Sequence, residues 1–293
     1  MDLPIHQPYE NGKGGVEIGL RPIEVETWLE RDRLFSTEIQ EKKKLFLEKK
    51  DEVLMTSEDS EDLQQEVLDL ILNYLDTFHN NAFKVNKACV ENLISGEIYH
   101  FKDFINPLEL ASLLVQEDLI VMRPVKDTFS LQSASLCAPT RWSLKEKFGQ
   151  TLSEIHKGVP GYIEKIDSRV VKIFNNLPNE KIFERFNWSI FDSPELFQPA
   201  QSKSLVEINN LEPENLYLRV ERQTIRRLNK SMSVLFTVRV HVDHITSILS
   251  CKKSILDLIK AIKSLDEDMK SYKVIKPFEE NLINWLKSKL ANE

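Results

Sequence analysis

Residues 142–162 hold the group best suited to chemistry: His156, set between a helix-forming run and a turn built by Gly158, Pro160 and Gly161. Residues 145–154 have the composition of a short helix that the glycines and proline end, so the spacing predicts His156 at a helix C-terminus. An imidazole there can ligate a metal through a neutral ring nitrogen, or simply satisfy the last carbonyls and the negative dipole end. A second group lies on a predicted hairpin, strands 216–225 and 233–242 joined by 226–232. Alternation puts Tyr217, Arg219, Glu221 and Gln223 on one face of its first strand, and Leu235, Thr237, Arg239 and His241 on one face of its second. A turn centred near Asn229-Lys230 sets Arg219 close to Arg239 and Glu221 close to Thr237. Like charges facing each other in a sheet need an acid or a bound anion between them. The patch therefore reads either as an anion-binding surface or as a solvated face with weak ion pairs.

The elements that must position these groups follow from periodicity. Residues 1–22 carry Gly12, Gly14, Gly15 and Gly19 with Pro4, Pro8 and Pro22, and predict an irregular arm. Gly12-Lys13-Gly14-Gly15 lacks the spacing and the Lys-Ser/Thr ending of a phosphate loop. Thr27 and Glu30 have capping-box spacing, and Trp28, Phe35, Ile39 and Phe46 predict a helix to about Lys50, with Lys42-Lys43-Lys44 on its solvated face. Leu63, Val67, Leu70, Ile71, Tyr74 and Phe78 form the stripe of a second helix. Ser95-Gly96 divides a small hairpin, and Pro107 opens a short helix. Strands over 119–125 and 128–138 follow, the second with small residues on both faces, which lets something bulky lie against it. Residues 160–177 predict a helix, 184–191 a strand, 193–214 a loop or partner-facing insertion, and the chain ends in helices over 255–265 and from Pro277. No glycine follows Gly161, so the later turns fall to Asn, Asp, Ser and Pro.

A chain of 293 residues, 41% hydrophobic and 29% charged, can bury a sizeable core. Its net charge of −7 and lack of a dense basic stretch argue against nucleic acid as a partner. Cys89, Cys137 and Cys251 are scattered without a CxxC pair, so neither a structural zinc site nor an iron–sulfur cluster is expected to have its ligands within this chain, and the odd, sparse count suits a reducing compartment. The N-terminus has no secretory pattern, and no apolar run approaches the ~20 residues needed to span a bilayer, so the expected location is cytoplasmic, away from the membrane.

Several motifs together resemble a known family. They are Trp28-Leu29-Glu30-Arg31-Asp32, Leu114-Val115-Gln116-Glu117-Asp118-Leu119, Cys137-Ala138-Pro139-Thr140-Arg141-Trp142, Ile155-His156 with Val159-Pro160-Gly161-Tyr162, Phe186-Asn187-Trp188, the run from Leu218 to Leu228, and Leu235-Phe236-Thr237-Val238-Arg239. In this order, over roughly 22–250, they resemble the haem-dependent oxidative N-demethylases, closest to the haem-binding alpha subunit. Lys157-Gly158 and Asn229 depart from the family pattern, both at turns. The resemblance implies haem b held by His156 as the axial iron ligand, with Tyr162 and Trp142 in the pocket wall. It implies that Arg219, Glu221 and Arg239 supply the polar pocket or hold the propionates. It also implies oxidation of a small secondary amine such as dimethylamine with O2. Electrons would come from an NADPH-dependent reductase carrying FMN and a 2Fe–2S centre on partner subunits, and tetrahydrofolate on a further subunit would capture formaldehyde. The whole would be a hetero-oligomer.

The expected fold class is α+β, a Per-Arnt-Sim (PAS)-like antiparallel five-stranded sheet with helices on one face plus N-terminal and C-terminal helical elaborations. The expected divisions are an arm over 1–22, helices and a hairpin over 23–104, a haem-binding core over 105–250 and C-terminal helices over 251–293. A haem-based gas or redox sensor on the same fold is the alternative to an enzyme. The flattest alternative binds no haem and leaves His156 as a helix cap.

Overall fold

Alternating side chains over two eleven-residue stretches make the longest strands of the protein, and these pair antiparallel along their whole length in the middle of the main sheet. The computed structural model describes residues 2–14, 18–200 and 211–291. Its strands are β1 (Arg21–Ile23), β2 (Leu54–Thr56), β3 (Phe83–Val85), β4 (Cys89–Asn92), β5 (Glu97–His100), β6 (Asp118–Val125), β7 (Thr128–Ser135), β8 (Ile182–Phe191), β9 (Tyr217–Arg227) and β10 (Val234–His244). Its helices are α1 (Phe35–Glu48), α2 (Lys50–Val53), α3 (Glu61–Phe78), α4 (Pro107–Leu113), α5 (Leu144–Lys147), α6 (Leu152–Ile155), α7 (Tyr162–Lys165), α8 (Asp167–Asn175), α9 (Lys252–Ser264), α10 (Glu267–Tyr272) and α11 (Glu279–Ala291).

The main sheet has the order β1-β8-β9-β10-β6-β7-β2, all antiparallel, and β3-β4-β5 form a second, small sheet. Five long strands, β7-β6-β10-β9-β8, make its body, and the short β1 and β2 extend its edges. The mixed helix-and-sheet class agrees with the sequence reading; a seven-stranded sheet takes the place of the expected five strands.

Helices cover both faces of this sheet, not one. On β6, Leu119 and Val121 alternate with Ile120 and Met122, and all four are buried. A strand apolar on both sides must be covered on both. Leu119, Val121 and Leu235 pack under the N-terminal helices, while Leu218 and Val220 pack under α9 and α11. The opposite face, with Ile120, Met122, Ile225 and Val238, meets the short helices α5–α8. The small side chains of β7 let helices approach closely, since Ser133 and Ser135 hydrogen-bond the hydroxyls of Ser60 and Ser112 at 2.9 and 2.7 Å.

Other local expectations change. The first long helix starts at Phe35, because the Thr27 hydroxyl donates to the Glu24 carbonyl and Glu30 faces other partners. Lys42 is buried, its ammonium donating to the carbonyls of Ser112, Val115 and Glu117 at and beyond the end of α4, where orphan carbonyls need a cation. The helix expected over 145–154 is two turns, α5 and α6, because Gly149 to Thr151 leave it to pair with Ser130 and Leu131 on β7. The helix expected over 160–177 breaks at Ile166 into α7 and α8. Of the predicted loop 193–214, residues 201–210 lie outside the described residues.

Candidate functional site

α6 is one turn long and survives because Thr151 and Glu154 form a capping box, with Glu154 Oε2 2.8 Å from both the Thr151 amide and hydroxyl. His156 follows as its C-cap. Its Nδ1 lies 2.8 Å from the Leu152 carbonyl oxygen. A carbonyl only accepts, so Nδ1 carries the proton and Nε2 keeps a bare lone pair. Gly161 then turns the chain with φ 71°, and Tyr162 stacks on the imidazole at 4.2 Å with the rings 8° from parallel. Burial holds His156 below the usual imidazole pKa, against the pull of the Leu152 hydrogen bond, and the charge of Arg185 adds to the lowering. The neutral form is the one that ligates metals.

This imidazole lines a cavity of about 840 Å³ between the sheet and α5–α8. Ile120, Leu131, Ile166, Val170 and Phe174 make its apolar wall, and Trp142 and Tyr162 also line it. Parts of the arm, from Ile5 to Gly14 and from Ile18 to Arg21, form another side.

The polar wall comes from β8 and β9. Arg185, Asn187, Glu221 and Gln223 are register partners or neighbours on the cavity face. Glu221 is buried, and its Oε2 accepts from Gln223 Nε2 at 2.7 Å and Asn187 Nδ2 at 3.3 Å. Its other oxygen has no partner among the described residues. Arg185 makes no hydrogen bond or ion pair among them either, and its Nε is sealed from solvent. The buried Tyr162 hydroxyl is likewise unsatisfied. Beside them Lys273 donates to Asn187 Oδ1 at 3.0 Å and to the Trp188 carbonyl, and burial brings its ammonium down to about 8.

The sequence-predicted residues do not all meet here. The observed pairs are Arg222 with Arg239, Val240 with Glu221, and Val242 with Arg219. The expected register, Arg219 beside Arg239, is therefore wrong by three residues. An odd shift exchanges the two faces. The turn slides because Glu66 on α3 accepts from the backbone amides of Lys230 and Ser231, which moves its centre past Asn229. Arg239 thus points away from the cavity and pairs with Asp32 at 2.7 Å and Glu38 at 2.8 Å. Arg219 stays on the cavity face of β9, yet all of its guanidinium nitrogens are taken. They donate to Thr140 Oγ1 and to the carbonyls of Ala138, Pro139, Glu195 and Leu196. Arg185 and Lys273 escaped the sequence reading, and Asn187 stood in a family motif with no role assigned. Arg185 carried one usable signal, a charge in step with Asn187 on a strand whose other positions are largely apolar.

In this α+β protein the cavity is lined by two histidines, His156 and His6, and by the partnerless Arg185, a lining suited to a cofactor. The chain belongs to the family described as haem-dependent oxidative N-demethylase, alpha subunit-like, whose model matches residues 19–283. That family is one of haem-dependent oxidoreductases, and its alpha-subunit designation denotes one chain of a hetero-oligomer. The residues present fit haem: the cavity lies within the range of cofactor pockets, Nε2 of His156 is free, and Arg185 and the Tyr162 hydroxyl lack partners. No helix among the described residues is long and apolar enough to cross a membrane.

Proposed function

We propose that this chain is the haem-binding subunit of an oxidative N-demethylase, a monooxygenase-type enzyme acting on a small secondary amine of the dimethylamine kind. One observation carries the reading: His156, Arg185 and Glu221 line a single cavity, each with a free valence on its polar group. His156 Nε2 would hold the haem iron. The Arg185 guanidinium would hold an anionic carboxylate of the cofactor, a pairing that would end its isolation. When bound, haem supplies dioxygen activation and electron transfer. The chain's residues do the rest. Glu221 receives the ammonium form of the amine on its unpaired oxygen, and that oxygen is the base to which the amine proton goes. Gln223 and Asn187 fix the carboxylate's orientation, and the apolar wall keeps water out, which strengthens each of these contacts.

The strand order β7-β6-β10-β9-β8, with the His156 segment between the first two strands and the last three, supports a PAS-like core over 105–250. The arm, the N-terminal helices and the C-terminal helices at 1–22, 23–104 and 251–293 are its additions. Electrons come from an NADPH-dependent partner carrying FMN and a 2Fe–2S centre, with tetrahydrofolate on a further subunit of a cytoplasmic complex.

The test is the absorption spectrum of the protein expressed with added haem, before and after dimethylamine. His156→Ala should lose or shift the Soret band, while His79→Ala, His100→Ala and His244→Ala should keep it. An unchanged spectrum in His156→Ala sinks the ligand assignment. A Soret band indifferent to small amines favours a haem-based sensor.

A further inference from the structure

A second cluster of ligating side chains stands over β10, on the other face of the sheet from Glu221. His6 on the arm, Glu30 before α1 and His241 on β10 place one ligand atom each within 4.8 Å of the others. His6 Nε2 is 2.8 Å from Glu30 Oε1, and His241 Nε2 is 2.8 Å from Glu30 Oε2. Three separate segments thus converge on one point. The sequence reading expects no zinc site in this chain because it weighs cysteines alone; this group is made of two imidazoles and a carboxylate.

We propose that His6, Glu30 and His241 bind a divalent transition-metal ion of the zinc class, which pins the N-terminal arm to the sheet beside the cavity. Two imidazoles and a carboxylate are the borderline donor set that such ions take, usually with a fourth position left to water. All three side chains face solvent only in part, His6 and Glu30 at 20% and 25% and His241 at 9%, so an ion can enter and keep a water. Donors on one tetrahedral ion stand about 3.3 Å apart, so closing the cluster needs only a small turn of the more exposed His6. In the metal-free chain two hydrogen bonds hold the ligands in place. Each Nε2–H donates to the Glu30 carboxylate there, so the metal takes the place of these two protons, which leave Nε2 for Nδ1 of a neutral ring or are released to solvent.

Other charges flank the cluster. Arg222 Nε is 3.6 Å from Glu30 Oε1, but its charge is committed to Glu184 at 2.6 Å and its other nitrogens to the carbonyls of Thr27 and Trp28. Asp243, two residues along the same face of β10, is near enough for its carboxyl to feel both imidazoles and Arg33. The Glu30 amide is held by Glu117 Oε1 at 2.8 Å, which fixes the central ligand.

The consequence concerns the arm. Residues 7–14 are already seated on α9: Ser254 Oγ donates to Gln7 Oε1, and a Cβ on Gly14 would lie 2.3 Å from the Ala261 carbonyl oxygen. His6 carries the tie past this seat, onto the sheet. The arm walls the cavity, so the ion holds that wall closed.

The experiment is a calorimetric titration of the full-length, haem-loaded protein with Zn2+ at pH 7.5. The expected result is one tight equivalent. His6→Gln and His241→Gln should each weaken it by more than ~100-fold, since even the partners of ligands are worth 10–100-fold. His244→Ala, outside the cluster, should not change it. Zn2+ should also slow proteolysis of the arm in the unaltered protein and not in His6→Gln. His6→Gln alters only the arm, so its Soret band and far-ultraviolet spectrum report that the fold is kept. Absence of a tight equivalent, or Zn2+ binding that survives His6→Gln, overturns the proposal.

Discussion

At the scale of single residues, the site is defined by what its polar atoms lack. Gln223 and Asn187 saturate one oxygen of Glu221 and leave the other facing the cavity. Hydrogen bonds to charged groups contribute about 1.5–3 kcal/mol each. Glu221→Ala should therefore weaken dimethylamine binding by ~10–100-fold while the haem stays bound, measured as the amine concentration that half-shifts the Soret band. Release of haem by this substitution would instead make Glu221 a structural residue. Arg219 shows the contrast. It is expected beside the chemistry, yet each of its three guanidinium nitrogens donates to the chain around Ala138 and Leu196.

At the scale of elements, that same arginine joins β9 to two loops. It ties the segment leaving β7, which runs on to Trp142 and His156, to the segment leaving β8. Its guanidinium also lies 5.1 Å from the Phe191 ring centre. Arg219→Met strands buried carbonyls without donors, and the stability loss should be about 3–5 kcal/mol, read as a lower urea midpoint. A loss under 1 kcal/mol would show that water replaces the guanidinium and that the loops hold themselves. The hairpin β9–β10 was legible from alternation alone, but its register was not. Glu66, more than 150 residues away in sequence, captures the turn amides and decides which side chains face the cavity.

At the scale of the whole molecule, helices from both ends of the chain complete a site that the central segment begins. Lys273, between α10 and α11, reaches the exposed edge of β8 and joins the C-terminal helices to the polar wall. Its folded pKa is about 8, while the unfolded chain takes the ordinary 10.5. Between these values the unfolded state binds more protons than the folded one, so stability gains from Lys273 as pH rises from about 8 to 10.5. Lys273→Met should remove that part of the rise, seen by comparing urea midpoints of the two proteins at pH 7.5 and 10. Identical pH dependence in both would place the ammonium in contact with water.

Sequence alone determined whatever depends on local periodicity and residue type. The stripe of α3, the turn at Gly161 and the place of His156 at a helix end are short-range consequences of side-chain spacing. The motifs from Trp28 to Arg239 also carried the family, which the match over 19–283 bears out. Only the tertiary structure decided the face of Arg239, the saturation of Arg219, the isolation of Arg185, and the meeting of His6, Glu30 and His241. These depend on strand register and on contacts between distant segments. A period of two leaves the register open by whole residues, and one residue of slip changes which side of the sheet a charge occupies.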